Sequence, residues 1–145
     1  MQIMQIMQFM QLNDTNMIKT IFTYFIIIFI LDAIVLTLLK QTWNTTIVTV
    51  QKETFNPKIT YAFFSYILMT FGVYYFVYRH IRKNDWIRDT LVNGFLFGFV
   101  LYGVFDMTNL AIFTKYSFST ALIDMIWGST LMATSTFLTY YLLNK

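Results

Sequence analysis

The sequence predicts an all-α protein: a transmembrane bundle of four helices, with antiparallel neighbours and both termini on the same side. Composition is the first reason, because 57% of the 145 residues are hydrophobic and 12% are charged, about half the charged fraction of a soluble domain. The second reason is that four stretches each hold about 20 mostly apolar residues, the length that crosses a bilayer as a helix.

Polar or charged segments separate the four predicted spans, which cover residues 18–39, 59–77, 91–113 and 119–143. The segment between the last two spans is so short that these two helices must be antiparallel neighbours. Residues 1–16 precede the first span and begin with MQIMQIMQFMQ. Glutamine at every third position drifts around a helix instead of forming a face, so we expect a mobile, low-complexity N-terminal extension.

The distribution of lysine and arginine predicts that both termini are cytoplasmic. The loop between the second and third spans is the most basic, with Arg79, Arg82, Lys83 and Arg88, and basic loops face the cytoplasm. This orientation puts six basic residues inside and four outside, with all three arginines inside. Besides setting topology, these four side chains are candidates for binding anionic lipid headgroups.

Three aspartates inside the predicted spans point to a functional site. No basic side chain lies at the depth of Asp32, Asp106 and Asp124 to pair with them, and a charged carboxylate in the bilayer core costs several kcal/mol. All three fall roughly 7–12 Å below the outer boundary at 1.5 Å per residue. Three carboxylates close together in a low dielectric cannot all stay ionised, so we expect a bound proton, a bound cation or hydrogen-bond donors. The candidate polar partners are Asn109, Thr108, Tyr66 and Trp127.

Small residues share helix faces with two of these acids. Gly94 and Gly98 lie on the Asp106 side of the third span, and Gly128 lies on the Asp124 side of the fourth. Glycines spaced by four let a neighbouring backbone approach closely, so we expect both acids to point into the bundle. Asp32 lies on a face of large apolar side chains, and the sequence leaves open whether it joins the other two.

Two motifs resemble a known family. Residues 102–111 read YGVFDMTNLA and residues 122–128 read LIDMIWG. The family described as "domain of unknown function 2177", a predicted membrane protein, reads aromatic-Asp-hydrophobic-Thr-Asn-Leu-Ala and then Asp-Met-x-Trp-Gly, with the same eighteen-residue step as from Asp106 to Asp124. The resemblance covers Met17 to about Leu143, and Tyr116-Ser117 stands where the family usually has Trp-Pro. It implies a four-helix integral membrane protein and brings no activity with it.

Three functions stay open. In the first, the acid layer binds a proton or cation linked to solute transport or sensing; a four-span protomer is small for a pore, so this version needs a homo-oligomer. In the second, the acids are hydrogen-bonded glue in a structural or assembly protein. The third and weakest is a membrane enzyme using Asp106 and Asp124 as an acid/base pair.

The residue types in the sequence limit which ligands and partners we expect. The sequence has no cysteine and a single histidine, so we expect neither a metal site nor a cofactor. A net charge of +3 gives no reason to expect nucleic acid. The lipid bilayer is the expected partner, and the solute stays unknown.

Overall fold

The computed structural model describes residues 2–53 and 56–145, with side chains from residue 16 onward. Within this part of the chain there are five α-helices: α1 (Gln2–Leu38), α2 (Lys40–Gln51), α3 (Ile59–Phe76), α4 (Trp86–Ile112) and α5 (Phe118–Leu143). Two short 3₁₀ turns, Tyr78–His80 and Lys83–Asp85, connect α3 to α4. All the helices except α2 are long and apolar enough to cross a membrane. The predicted all-helical, four-span fold is confirmed.

The main departure from the sequence prediction is α2, which occupies most of the predicted polar break at residues 40–58. Its composition is too polar for a span, but it holds no glycine or proline. Its threonines bond back to the preceding turn, as in the 2.8 Å bond from the Thr45 hydroxyl to the Gln41 carbonyl. The helix ends at Lys52, whose φ of 58° is left-handed. Hydropathy therefore predicted correctly that this segment does not span the membrane, but it did not predict that the segment contains a helix.

The first helix begins well before the first span. Its backbone is helical from Gln2, whereas its membrane-spanning stretch begins at Asn16. The prediction that residues 1–16 form a mobile extension stays a prediction, since residue 1 and the side chains of residues 2–15 lie outside the described part of the chain.

Helix α5 is the centre of the bundle. Over half of its most apolar stretch is buried, against less than a fifth in each of the other spans. It packs most extensively against α4 and then against α1, while α3 packs mainly against α1. Buried hydroxyls on α5 bond to their own helix, as Ser129 does to the Met125 carbonyl and Thr136 to the Met132 carbonyl, both at 2.6 Å. These bonds let a helix rich in serine and threonine sit in a core.

The largest hydrophobic cluster lies between α1, α3 and α5, and large apolar side chains cover the outside. The buried members of the cluster are Tyr24, Ile28, Val73, Val77, Leu131 and Met132. The outward-facing side chains include Phe22, Phe29, Leu68, Val100 and Ile126, each more than half exposed, which suits contact with lipid. Asn16 and Asn144 line one cavity, so the first span begins at the same end of the bundle as the last span ends. That this end is cytoplasmic stays a prediction.

Candidate functional site

The three aspartates come from three helices and are brought together in the bundle. Asp32 on α1, Asp106 on α4 and Asp124 on α5 are all buried, with relative exposures of 8%, 0% and 7%. Asp124 lies within electrostatic range of both other acids. The structure thus places Asp32 in the same cluster as the other two, which the sequence had left open. We refer to these three residues as the acid cluster.

Asp32 has a donor on each carboxylate oxygen. The Tyr66 hydroxyl of α3 donates to Oδ2 at 2.6 Å, and the Trp127 indole of α5 donates to Oδ1 at 2.9 Å. Asp32 therefore ties α1 to two other helices at one depth. Charge-assisted bonds of this kind are about twice as strong as neutral ones, so this arrangement suits a carboxylate without a proton.

Asp106 is bonded on one oxygen only. The Tyr116 hydroxyl, from the loop between α4 and α5, donates to Oδ1 at 2.7 Å. Oδ2 is buried and has no hydrogen-bond partner among the described residues. Burial, and then the bond to Asp106, raise the pKa of the Tyr116 phenol above its ordinary value, so this phenol keeps its proton and stays a donor at physiological pH.

Asp124 makes no side-chain hydrogen bond within the part of the chain that the structure describes. The ring of Tyr102 on α4 lies beside the cluster, within electrostatic range of all three acids. Its hydroxyl donates only to the Met69 sulfur, at 3.7 Å, which is a weak acceptor. Two of the three acids therefore have unused hydrogen-bonding capacity, and a phenol with a weak partner stands next to them.

Glycines bring α4 and α5 close together. A Cβ placed on Gly94 would lie 2.8 Å from Ala133 Cα, and one on Gly98 would lie 2.7 Å from Ser129 Cα. Since these neighbours are backbone atoms, they cannot move aside as a flexible side chain would. A Cβ on Gly128 would collide with the Tyr102 ring, so Gly128 makes the space in which that ring lies beside the acids.

Not every predicted partner reaches the acids. Thr108 is exposed on the outer side of α4, away from the cluster. Asn109 is partly buried and lies beside Tyr116, the donor to Asp106. Trp127 shares a helix face with Asp124 in the sequence, but its indole reaches across to Asp32. These corrections follow from side-chain length and direction, which residue spacing does not give.

Residues 17–141 match the family described as "Predicted membrane protein (DUF2177)". The chain belongs to this family. The resemblance seen in the two aspartate motifs is thereby confirmed. No curated protein and no solved structure matches the chain. The matched range of the family includes all three acids together with Tyr66 and Tyr116, so the whole cluster lies within the family's extent.

In this family member, the acid cluster lies just below a polar cavity at one end of the bundle. This outer cavity has a volume of about 440 Å³ and is lined by side chains of α2, the α4–α5 loop and the start of α5. Thr46 of α2 shares a 3.0 Å hydrogen bond with Thr120 of α5, which fixes α2 over this end. Thr120 stands one helical turn before Asp124, and Ser117, another lining residue, follows Tyr116.

The carboxyls are not arranged as a metal centre. Among the described side chains, no three histidine, aspartate or glutamate groups stand close enough together to hold a metal ion.

In the basic loop between α3 and α4, the side chain of Arg82 is already bonded to carboxylates. Arg82 makes two side-chain bonds to Asp89 of α4, at 2.9 and 2.8 Å, and its backbone N–H donates to the same carboxylate at 3.0 Å. It also pairs with Asp85 at 3.3 Å. Arg82 therefore fastens the loop to the first turn of α4, where a carboxylate also favours the helix dipole. Asp89 was missed in the sequence because it lies outside the predicted span.

Proposed function

We propose that the acid cluster binds and releases a proton, or faces a small organic cation, and that this binding is linked to the transport or sensing of a solute across the membrane. The observation that supports this most directly is Asp106. It is fully buried, and one of its oxygens has no partner in the described structure. A buried acceptor left without a donor costs about 1–3 kcal/mol, and a proton on the carboxyl, or a cation beside it, would remove that cost.

In this proposal the three acids have different roles. Asp32, with a donor on each oxygen, is the fixed member that holds α1, α3 and α5 in register. Asp106 and Asp124 are the exchanging pair, because they lie within electrostatic range of each other and have spare hydrogen-bonding capacity. Two interacting carboxyls share protons as a unit, so the pair can hold one proton and pass it from one acid to the other.

Access to the pair is through the outer cavity. Hydroxyls line it down to Thr120, one turn from Asp124, and Tyr116 stands between the cavity and Asp106. Hydroxyls and ordered water can relay a proton over such a distance.

A structural role is the second candidate, and the bonding of Asp32 favours it. Its two donors come from two different helices, which is what hydrogen-bonded glue requires. Interhelical hydrogen bonds in membranes stabilise the fold by about 0.6 kcal/mol on average. A structural role alone therefore provides little stabilisation to offset the burial of the acids. A structural role also does not explain why Asp106 and Asp124 have hydrogen-bonding capacity that no described residue uses.

The test is proton flux in liposomes that contain the purified protein and a trapped pH-sensitive dye. We expect a pH step across the membrane to relax faster with the wild type than with empty liposomes. Asp106→Asn and Asp124→Asn should abolish the difference, while Glu53→Gln, which changes an exposed acid outside the spans, should leave it intact. Equal rates for the wild type and both Asn variants would refute proton translocation.

Proton sensing without flux has its own readout, the pH dependence of unfolding in mild detergent. A folded state that binds one more proton than the unfolded state loses stability as pH rises, by about 1.4 kcal/mol per pH unit. We expect this slope in the wild type and in Glu53→Gln, and its loss in Asp106→Asn or Asp124→Asn. A slope that both Asn variants retain would mean that other groups cause it and would leave the structural role as the better account.

A further inference from the structure

A second cavity lies at the end of the bundle away from the acid cluster. It has a volume of about 730 Å³ and lies between the start of the α1 span, the end of α3, the connecting turns and the end of α5. Thr20 lines it, twelve residues before Asp32, which is about 18 Å along α1. This inner cavity is therefore separate from the acid cluster, and binding there is independent of the proposed function.

Positive charge converges on the inner cavity from separate parts of the chain. Lys19 comes from α1, Arg79 from the turn after α3 and Lys83 from the turn before α4. Among the described residues that line the cavity, none is acidic. Arg82 is not among them, because it is bonded to Asp89 and Asp85. Three cationic side chains around one space, with no carboxylate among the lining residues that the structure describes, form a site for an anion.

The rest of the lining is aromatic and amphipathic. Tyr78 stacks on Tyr74 at 5.9 Å and packs against Tyr140 at 5.7 Å. Asn144 donates to the Tyr78 hydroxyl at 3.0 Å, which holds that phenol at the cavity wall. Arg79 lies over the Tyr75 ring, 5.1 Å from its centre. These contacts preorganise the site with rigid side chains, as tyrosines do where a protein meets the membrane surface.

The cavity also opens toward the apolar outside of the bundle. Phe71 is among the lining residues and is 53% exposed on the outer side of α3, and Tyr75, one turn later, is 45% exposed. An anion that carried hydrocarbon chains could place its charge among the three cationic groups and its chains along this surface of α3. A free anion would leave the apolar part of the opening uncovered.

We infer that the inner cavity binds the phosphate headgroup of an anionic phospholipid through Lys19, Arg79 and Lys83. The phosphate accepts hydrogen bonds from the ammonium and guanidinium groups, and the phenols form the wall beside it. This site differs from a general attraction of the basic loop to the membrane, because it requires Lys19, which is far away in sequence, and does not require Arg88, which does not line the cavity.

The test compares Lys19 with Arg88. Purified protein in mild detergent is titrated with phosphatidylglycerol, and individual bound lipids are counted by native mass spectrometry. Each basic residue near an anionic headgroup contributes a roughly fivefold gain in affinity, so Lys19→Gln and Arg79→Gln should each weaken binding by about that factor. Arg88→Gln, the matched control from the same basic loop, should bind like the wild type. Lys19→Arg should restore binding, which separates lost charge from lost fold.

Two further probes identify the source of the phosphate. Phosphatidylcholine, whose headgroup is neutral overall, should bind more weakly than phosphatidylglycerol. Inorganic phosphate should fail to displace the bound lipid. Equal weakening by Lys19→Gln and Arg88→Gln, or equal binding of the two lipids, would overturn the inference. Displacement by inorganic phosphate would overturn the lipid assignment and would make the cavity a site for a free anion.

Discussion

Removing the Tyr66 hydroxyl tests how Asp32 holds the bundle. The Tyr66→Phe change deletes the 2.6 Å bond to Asp32 Oδ2 but keeps the ring, which packs edge-on against Phe29 at 5.7 Å and against Phe25 at 6.3 Å. Packing losses are therefore small, and the effect reports the hydrogen bond. A bond to a charged group contributes about 1.5–3 kcal/mol, whereas the average interhelical bond in a membrane contributes about 0.6 kcal/mol.

Because Asp32 is buried and has a single donor on Oδ2, we expect the larger value: a loss of about 1.5–3 kcal/mol in the free energy of unfolding. The assay is reversible unfolding in mixed micelles. Tyr61→Phe is the control, because Tyr61 lies on the same helix but is 71% exposed. A double variant with Asp32→Asn should show that most of the Tyr66 effect depends on the carboxylate. Equal effects of Tyr66→Phe and Tyr61→Phe would refute the assignment, and a loss near 0.6 kcal/mol would mean that this bond is no stronger than the average interhelical bond.

Three further predictions concern other parts of the molecule. Gly98→Ala places a methyl group against the backbone of α5 and should destabilise the fold by about 1–3 kcal/mol. Gly103→Ala is the control: its methyl group would meet only the end of a flexible side chain at 3.3 Å, so it should cost less in the same unfolding assay. Arg82→Gln should lower the free energy of unfolding slightly, because exposed ion pairs contribute little, and this loss should shrink in an Asp89→Asn background if the pair is its cause. Tyr116→Phe removes the described hydrogen bond to Asp106 and should cost about 1–3 kcal/mol.

Hydropathy predicted the spans well because it depends on composition averaged over about 20 residues. The predicted start of the second span, residue 59, is the first residue of α3, and the fourth span begins one residue from its helix. The third span was predicted to begin at residue 91, but α4 begins at Trp86. Its first turns carry charged residues, among them Asp89, that lower the average without breaking the helix.

The acids could be predicted from the sequence, but their partners could not. An aspartate in an apolar stretch stands out whatever the structure around it. The partner of such a residue depends on how the helices pack, and Trp127 illustrates this, since it shares a face with Asp124 yet donates to Asp32. Tyr116 belongs to a loop, where no periodicity points to its direction. Its position directly after the third span, ten residues from Asp106, was the available signal.

Glycine occupies two positions from which a longer side chain could have donated a hydrogen bond to Asp124 or Asp106. Gly128 stands one turn from Asp124, and Gly103 stands three residues from Asp106. At both places a side chain long enough to donate would be within reach of an acid. At Gly128 a side chain would collide with the Tyr102 ring, whereas at Gly103 it would meet only the end of the Met125 side chain. The described donor to Asp106 comes from the loop instead, and one loop phenol satisfies one oxygen. Asp32 comes from α1, and long side chains of α3 and α5 reach it, so both of its oxygens find a donor. The helix pair with the most extensive contact is thus the one whose two acids keep unused hydrogen-bonding capacity among the described residues.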